Sequence, residues 1–474
     1  MKKKQLRWTL WTIASPFILF IILCILIYLP PIQNFLVDKA AVYASEATGM
    51  NISVGRISLS FPLNLVVTDV DAASPHKDTL LSVRRLQVNV QLLPLLKKQV
   101  EVDGISLQGA TVNSNDLIHG MRLNGTLGEL FISSHGVALD PETAIVNKVL
   151  LKDTDLSLCL NDTAAADTAA SDTTYWKIIL QDIDLQNVSF ALDMPLDSLS
   201  LAASLDNATL RDGLIDLHKS AYSLQTFRIK NGRVRYDSGR PSATASADSL
   251  SAGLDPSHIA LTDIGVKLDS LYYEGRNMKA IISQFVLKER SGVEIVSTEG
   301  RLVSNDKVLR VPSLKLETWD SYLELNAAMD WDALDFKKEG LVSARLMADI
   351  GKPDVVRFMG SMDEKFIRKY PSEPLRIRTG IDGDLNKLKL TTLTAELPGA
   401  LELFAKGELT SLTDSLLRGG DITLQAETKD LKFISTLAEG IEIPYGTRLE
   451  GKFTMAGPKM GTDLLLMQPE AHAV

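Results

Sequence analysis

Side chains capable of chemistry are present in this sequence, but not in the arrangements that chemistry uses. The six histidines, His76, His119, His135, His218, His258 and His472, are scattered. None is spaced with a second His or Cys as a metal-binding pair would be. Of the two cysteines, Cys24 lies in a long apolar run and Cys159 stands alone, so no disulfide staple is expected outside that run. No G-x-S-x-G nucleophile elbow occurs. Gly446 to Lys452, GTRLEGK, approaches a phosphate loop, but Phe453 stands where a metal-holding Ser or Thr belongs. That stretch also sits between strand-like segments, where a turn is the simpler reading. Carboxylates are abundant, yet they fall in Asp/Asn-rich stretches that turn chemistry explains. The sequence therefore predicts no catalytic, cofactor-binding or metal-ligating residue, and a protein that is not an enzyme.

What the sequence does carry is a persistent apolar alternation. Hydrophobic residues make up 45% of the chain and aromatics only 6%, so Leu, Val and Ile dominate whatever surface is buried. From Asn51 the apolar period is two. Ile57, Leu59, Phe61, Leu63, Leu65 and Val67 alternate with polar or small residues, and so do Leu86, Val88, Val90 and Leu92. The same holds for Ile264, Val266 and Leu268, for Met278, Ala280 and Ile282, and for Leu314, Leu316, Leu388, Leu390, Leu401 and Leu403. Such runs predict short strands with one apolar and one wet face, as in antiparallel sheets. Four stretches, 100–113, 150–160, 179–192 and 227–237, share a form. Each reads apolar-x-apolar, a polar turn with Asp or Asn, then apolar-x-apolar, which suggests strand pairs added serially.

The apolar face admits two readings, the core of a sandwich or the lining of an open, elongated trough. For a trough the candidate lining residues are Leu86, Val88, Val90, Ile264, Val266, Leu268, Met278 and Ile282. Thr262 should continue the Ile264 face, with Asp263, Gly265, Lys267 and Asp269 on the other. A turn within 272–277 would make the two later runs a hairpin. Segments 163–174 and 240–251 read as loops. Helical spacing over 353–370 and 430–437 predicts short helices set on the sheet.

Residues 8–29 form a low-polarity run of about 22 residues, enough at ~1.5 Å per residue to cross a bilayer's hydrocarbon core. Ile13, Phe17, Leu19, Phe20, Leu23, Leu26 and Leu29 would form the transmembrane anchor. Lys2, Lys3, Lys4 and Arg7 precede the run, which predicts a cytoplasmic N-terminus and a bulk across the membrane. The run exceeds a cleaved leader's apolar region, and Pro30-Pro31 rather than a small-residue site follows it. An uncleaved, single-pass signal anchor is therefore expected. Residues 31–49 read as an amphipathic helix ending at Gly49. A net charge of −9 and a pI near 5.4 argue against a nucleic-acid partner.

The N-terminal order resembles the AsmA superfamily, and most the TamB-like branch. The resemblance rests on 44–75 and 80–112, with Gly55-Arg56-Ile57, Phe61-Pro62, Thr68-Asp69-Val70, and Leu92 to Leu96 followed by Val102-Asp103-Gly104. It continues more diffusely through 383–409. Members of this superfamily are similar to chorein-type bridge-like lipid transfer proteins. The resemblance implies a Gram-negative inner-membrane protein with a periplasmic β-sheet trough that carries phospholipid acyl chains between the two membranes. Its alternative implication is a translocation and assembly factor acting with an outer-membrane barrel partner. The expected fold is mainly β. An N-terminal transmembrane helix (1–30, with a cytoplasmic tail) precedes the amphipathic helix (31–49). Residues 50–474 form an elongated, curved, mostly antiparallel trough with a few short helices, and a full-length form is expected to continue further.

Overall fold

Leu, Val, Ile and Thr at every second position favour the pleated backbone, and strands occupy most of the chain. The structure is a computed structural model. It describes residues 39–467 except 61–63, 75–78, 92–101, 115–119, 139–141, 162–174, 240–252, 360–363, 413–415, 437–443 and a few isolated positions. The proposed anchor, residues 8–29, lies outside the described residues, as do the loop segments 163–174 and 240–251. Among the described residues no helix is long and apolar enough to cross a membrane. Lys39, Ala41, Val42, Ser45 and Glu46 are helical, and the Gly49 amide donates to the Ser45 carbonyl at 2.9 Å, closing that helix where the sequence predicts.

The chain divides into two units, 1–218 and 219–474. The first contains β1 (Asn51–Ser60), β2 (Asn64–Ala73), β3 (Thr79–Val90), β4 (Val102–Asn113), β5 (Met121–Ala138), β6 (Thr143–Leu160), β7 (Lys177–Met194) and β8 (Leu199–Asp216). Each pairs with the next, all antiparallel except β6 with β7, which run parallel. The alternation from Ile57 to Val67 is divided between β1 and β2, which pair as Leu59↔Leu65 and Ile57↔Val67.

The repeated motif has a different structural meaning from the one its composition suggests. Its polar centre reverses no chain: β4, β6 and β7 each run straight through it. One residue there takes a left-handed conformation, Gly109 (φ 62), Asp153 (φ 49) or Asn187 (φ 50), as Asp69 (φ 54) does in β2. A left-handed residue inside a strand acts as an extra residue, bending it and resetting its alternation. These positions align. In every pairing of the first unit the ladder skips the row Gly55, Asp69, Arg84, Gly109, Gly128, Asp153, Asn187 and Asp206, and β6 to β8 skip a second at Asn147, Gln181 and Asp212. Because every strand contributes one residue to this crease, the ladder resumes in register beyond it. A Cβ added at Gly128 would lie 2.8 Å from the Asp153 Cβ, so this close crossing needs glycine.

The second unit contains β9 (Ala221–Leu224), β10 (Thr226–Ser238), β11 (His258–Glu274), β12 (Asn277–Glu289), β13 (Glu294–Ser304), β14 (Val308–Thr318), β15 (Tyr322–Asp330) and β16 (Val342–Ile350). It continues with α1 (Lys352–Met359), α2 (Glu364–Lys369), β17 (Leu375–Gly383), β18 (Lys387–Leu397), β19 (Leu401–Thr410), β20 (Gly419–Thr428), β21 (Arg448–Ala456) and β22 (Lys459–Met467). From β10 to β22 each strand pairs antiparallel with the next, and β9 pairs with the far end of β11. The helical spacing of 353–370 becomes α1 and α2. That of 430–437 becomes only a 3-10 turn, Ile434–Thr436.

These short helical pieces build a closed core at one end of the strands. Phe366, Tyr370 and Phe433 pack ring on ring, with centroids 5.2–5.7 Å apart, over Leu397, Ala400 and Leu431. Asp354, 1% exposed, pins α1 to the turn between β14 and β15. Its carboxylate accepts from the Ser321 hydroxyl (2.6 Å), the Thr318 hydroxyl and the Arg357 guanidinium (2.9 Å). Burial works to raise its pKa, but the hydrogen bonds from Ser321, Thr318 and Arg357 outweigh that and hold it below the usual carboxylate value.

Candidate functional site: the apolar face

Residues directly opposite on paired strands share a face of the sheet, so register converts scattered alternation into rows. In the first unit Leu59, Leu65, Val88, Ile105, Ile132, Val149, Ile183 and Leu210 stand side by side across all eight strands. The adjacent row is Ile57, Val67, Leu86, Leu107, Leu130, Leu151, Leu185 and Ala208. Beyond the crease a third row, Val54, Val70, Val83, Ala110, Leu127, Thr154, Val188 and Leu205, is again nearly all apolar. The row between them is Arg56, Thr68, Arg85, Gln108, Glu129, Lys152, Gln186 and Asn207. Apolar residues thus recur three apart at the crease and two apart elsewhere. The reset alternation keeps apolar rows on one side of the bend and charged rows on the other.

The second unit repeats the pattern without a crease through every strand. One row runs Leu268, Ile282, Gly300, Leu314, Leu325, Leu346, Thr379, Leu393, Ala405, Leu424, Gly451 and Leu464. Two residues along lies Leu316, Leu323, Ala348, Ile377, Ala395, Leu403, Ala426, Leu449 and Leu466. The opposite face carries Lys315, Glu324, Arg378, Gln425 and Glu450. Ion pairs cross that face, such as Arg378–Asp349 at 2.7 Å and Lys452–Asp421 at 2.6 Å.

The rows are neither core nor open surface. Most of their larger members are half-buried, with Ile105 and the β22 residues Leu464 and Leu466 exposed, whereas the residues fully buried in them are mostly small, such as Ala110, Ala208, Ala348 and Ala405. A sandwich core would bury the large members as well, because its second sheet supplies the missing contacts. The closed aromatic core beside α2 shows what full burial looks like here.

The structure brings the candidate lining residues together in two groups. Leu86 and Val88 belong to the first unit's rows, and Val90 follows them, opposite Val102. In the second unit β11 and β12 form the expected hairpin about Gly275-Arg276. Leu268 stands opposite Ile282, Val266 opposite Phe285 and Met278 opposite Tyr273. Ile264 packs onto Gly232 and is 9% exposed. Thr262 does not continue this face. Asp263 takes φ 53 and the register shifts between Thr262 and Gly265, so alternation breaks there. The sequence reading also missed the middle of every row, Leu107, Leu130, Leu151, Leu325 and Leu346 among them. Their alternation was visible; their alignment was not.

The GTRLEGK stretch is divided between a turn at Gly446 and β21, leaving no loop that could wrap a phosphate. Among the described residues no group of three or more His, Cys, Asp or Glu is placed to hold a metal ion. No protein-family model matches the chain, and no curated protein is similar to it in sequence.

Proposed function

We propose that the apolar rows carry the acyl chains of phospholipids, and that the protein is an inner-membrane-anchored, periplasmic lipid conduit. The observation that carries this reading is the run of mostly half-buried Leu, Val and Ile across β1 to β8 and across β11 to β21. Apolar surface left half in water gains by receiving hydrocarbon, at about 0.8 kcal/mol per CH₂ removed from water. Headgroups would stay at the wet margin, and no side chain need act as acid, base or nucleophile. The apolar run at 8–29, the charges before it and the resemblance to the AsmA superfamily support the location. Photo-crosslinking groups at Leu130 and Leu325 should capture phospholipid in cells, while the same groups at Glu129 and Glu324, on the opposite face, should not. Equal labelling at all four positions would rule the conduit out.

One observation favours a second reading, an assembly factor for outer-membrane barrel proteins. β22 pairs with β21 on one side, and nothing among the described residues pairs with its other side. Its Leu464, Leu465 and Leu466 are 47%, 58% and 57% exposed, with Leu465 on the face that is polar elsewhere. A strand edge with apolar side chains on both faces suits the addition of a further strand, from a client chain in this reading. A crosslinker at Leu465 that captured unfolded barrel protein, with no lipid at Leu325, would favour this reading over the first.

A further inference from the structure

We infer that the polar face of the second unit holds an oxyanion site for a phosphate group, between Arg310 of β14 and Arg345 of β16. The site lies opposite the apolar rows and does not depend on what those rows carry. It is a depression of about 270 Å³ lined by Arg310, Pro312, Asn326, Ala328, Ser343 and Arg345.

Its origin is local. The register shifts between Val311 and Leu314, so Pro312 and Ser313 together face Asn326 across the ladder. Proline has no N–H to give to the ladder, which is why the bulge falls there. The bulge lifts β14 locally, and the small side chain of Ala328, paired with Arg310 on one side and Ser343 on the other, leaves the floor low. Arg345 is paired with Asn326, so both arginines border the same hollow from strands on either side of β15. Two strand spacings and a two-residue offset along the strands separate them, about 12 Å between backbones, a gap that two long side chains can close onto one tetrahedral anion.

The electrostatics favour an anion. Neither guanidinium has a hydrogen-bond or ion-pair partner among the described residues, whereas Arg378, one strand beyond Arg345, is paired with Asp349 at 2.7 Å. Three nearby carboxylates accept from neutral donors: Glu324 from the Tyr322 hydroxyl (2.8 Å), Asp330 from the Leu341 amide (3.0 Å) and Asp382 from the hydroxyl of Ser343, itself a lining residue (2.7 Å). Arg301, opposite Ser313 on β13, adds a third positive charge beside the hollow. The Asn326 amide supplies a neutral donor at the floor. Guanidinium forks match phosphate geometry bidentately.

The test titrates the full-length protein with inorganic phosphate, followed by ³¹P NMR. Binding is expected to saturate with a dissociation constant on the order of 1 mM at low ionic strength and to weaken with salt. Arg310→Ala with Arg345→Ala should weaken it by about tenfold or more. Arg345→Lys should recover only part, and Lys459→Ala, remote on β22, should change nothing. The same titration against vesicles of phosphatidylcholine with phosphatidic acid separates the sources. Phosphatidic-acid-dependent flotation lost in the double variant marks a lipid headgroup site, and phosphate binding without flotation marks a site for soluble phosphate. Unchanged phosphate binding in the double variant, or no saturable binding by the parent, overturns the inference.

Discussion

The two units solve the same problem, an apolar face on a bent sheet, in different ways. In the first, one unpaired row crosses all eight strands, and left-handed residues there reset the alternation together. In the second, irregularities affect some strands and spare others, with left-handed Asn231 and Asp263 on the neighbouring strands β10 and β11. Asp263 interrupts β11, Pro312-Ser313 interrupts β14, and the register of β18 shifts against both of its neighbours. A shared crease needs agreement among eight strands, so an error in one strand must strain the next. Isolated bulges are absorbed locally. The second unit also has a closed core beside α2, of which the first has no counterpart among its described residues. Stability in the first unit should therefore depend on the crease, and in the second on the capped end.

The largest effect should come from the cap. Asp354→Ala leaves Arg357, Thr318 and Ser321 without their acceptor and should cost about 3 kcal/mol. Hydrogen exchange should rise over α1 and the Thr318–Tyr322 turn, with residues 51–216 unchanged. Loss of protection in both units would erase the distinction drawn between them.

Next comes the crease. Gly109→Val forces a β-branched residue to φ 62 and should destabilise the first unit by about 1–3 kcal/mol. Asp153→Gly, at φ 49, should be tolerated, because glycine adopts that conformation freely. Chemical denaturation of the two variants would show the contrast, and equal losses would mean that backbone conformation is not what the crease demands.

A smaller, pH-dependent effect follows from Asp354. Its folded pKa is depressed, so its stabilisation is complete above the unfolded value of about 3.9 and fades as pH falls through the folded value. The second unit should lose protection around α1 below about pH 4. Asp354→Asn should remove that acid-dependent step, and a step that persists in this variant would have to come from another group.

The smallest effect on stability is expected at the apolar face itself. Val266→Asp places a carboxylate where water reaches, so expression and protease resistance should stay near normal while lipid capture at Leu325 falls. Lys267→Ala should alter neither. If the Asp variant is degraded instead, Val266 belongs to a closed core and the two units differ more than their rows indicate.

The alternation of Leu86, Val88 and Val90, or of Val266 and Leu268, is a property of the backbone's two-residue period, so the sequence alone determined that these residues lie in strands with one apolar face. It also placed α1 and α2, and the β11–β12 hairpin with its Gly275-Arg276 turn. Asp153, Asn187 and Asp69 were legible as special positions but not as what they are. The Asp and Asn that initiate turns are the same residues that tolerate a left-handed conformation inside a strand, and only the pairing partner distinguishes the two. The rows were beyond reading for a related reason. That Leu130 stands between Leu107 and Leu151, or that Arg310 and Arg345 flank one hollow, depends on register between separate segments. Register is set by many weak cross-strand contacts acting together rather than by any one segment's sequence. Asp354 shows the same limit, since its partners Thr318 and Ser321 come from a turn more than thirty residues away.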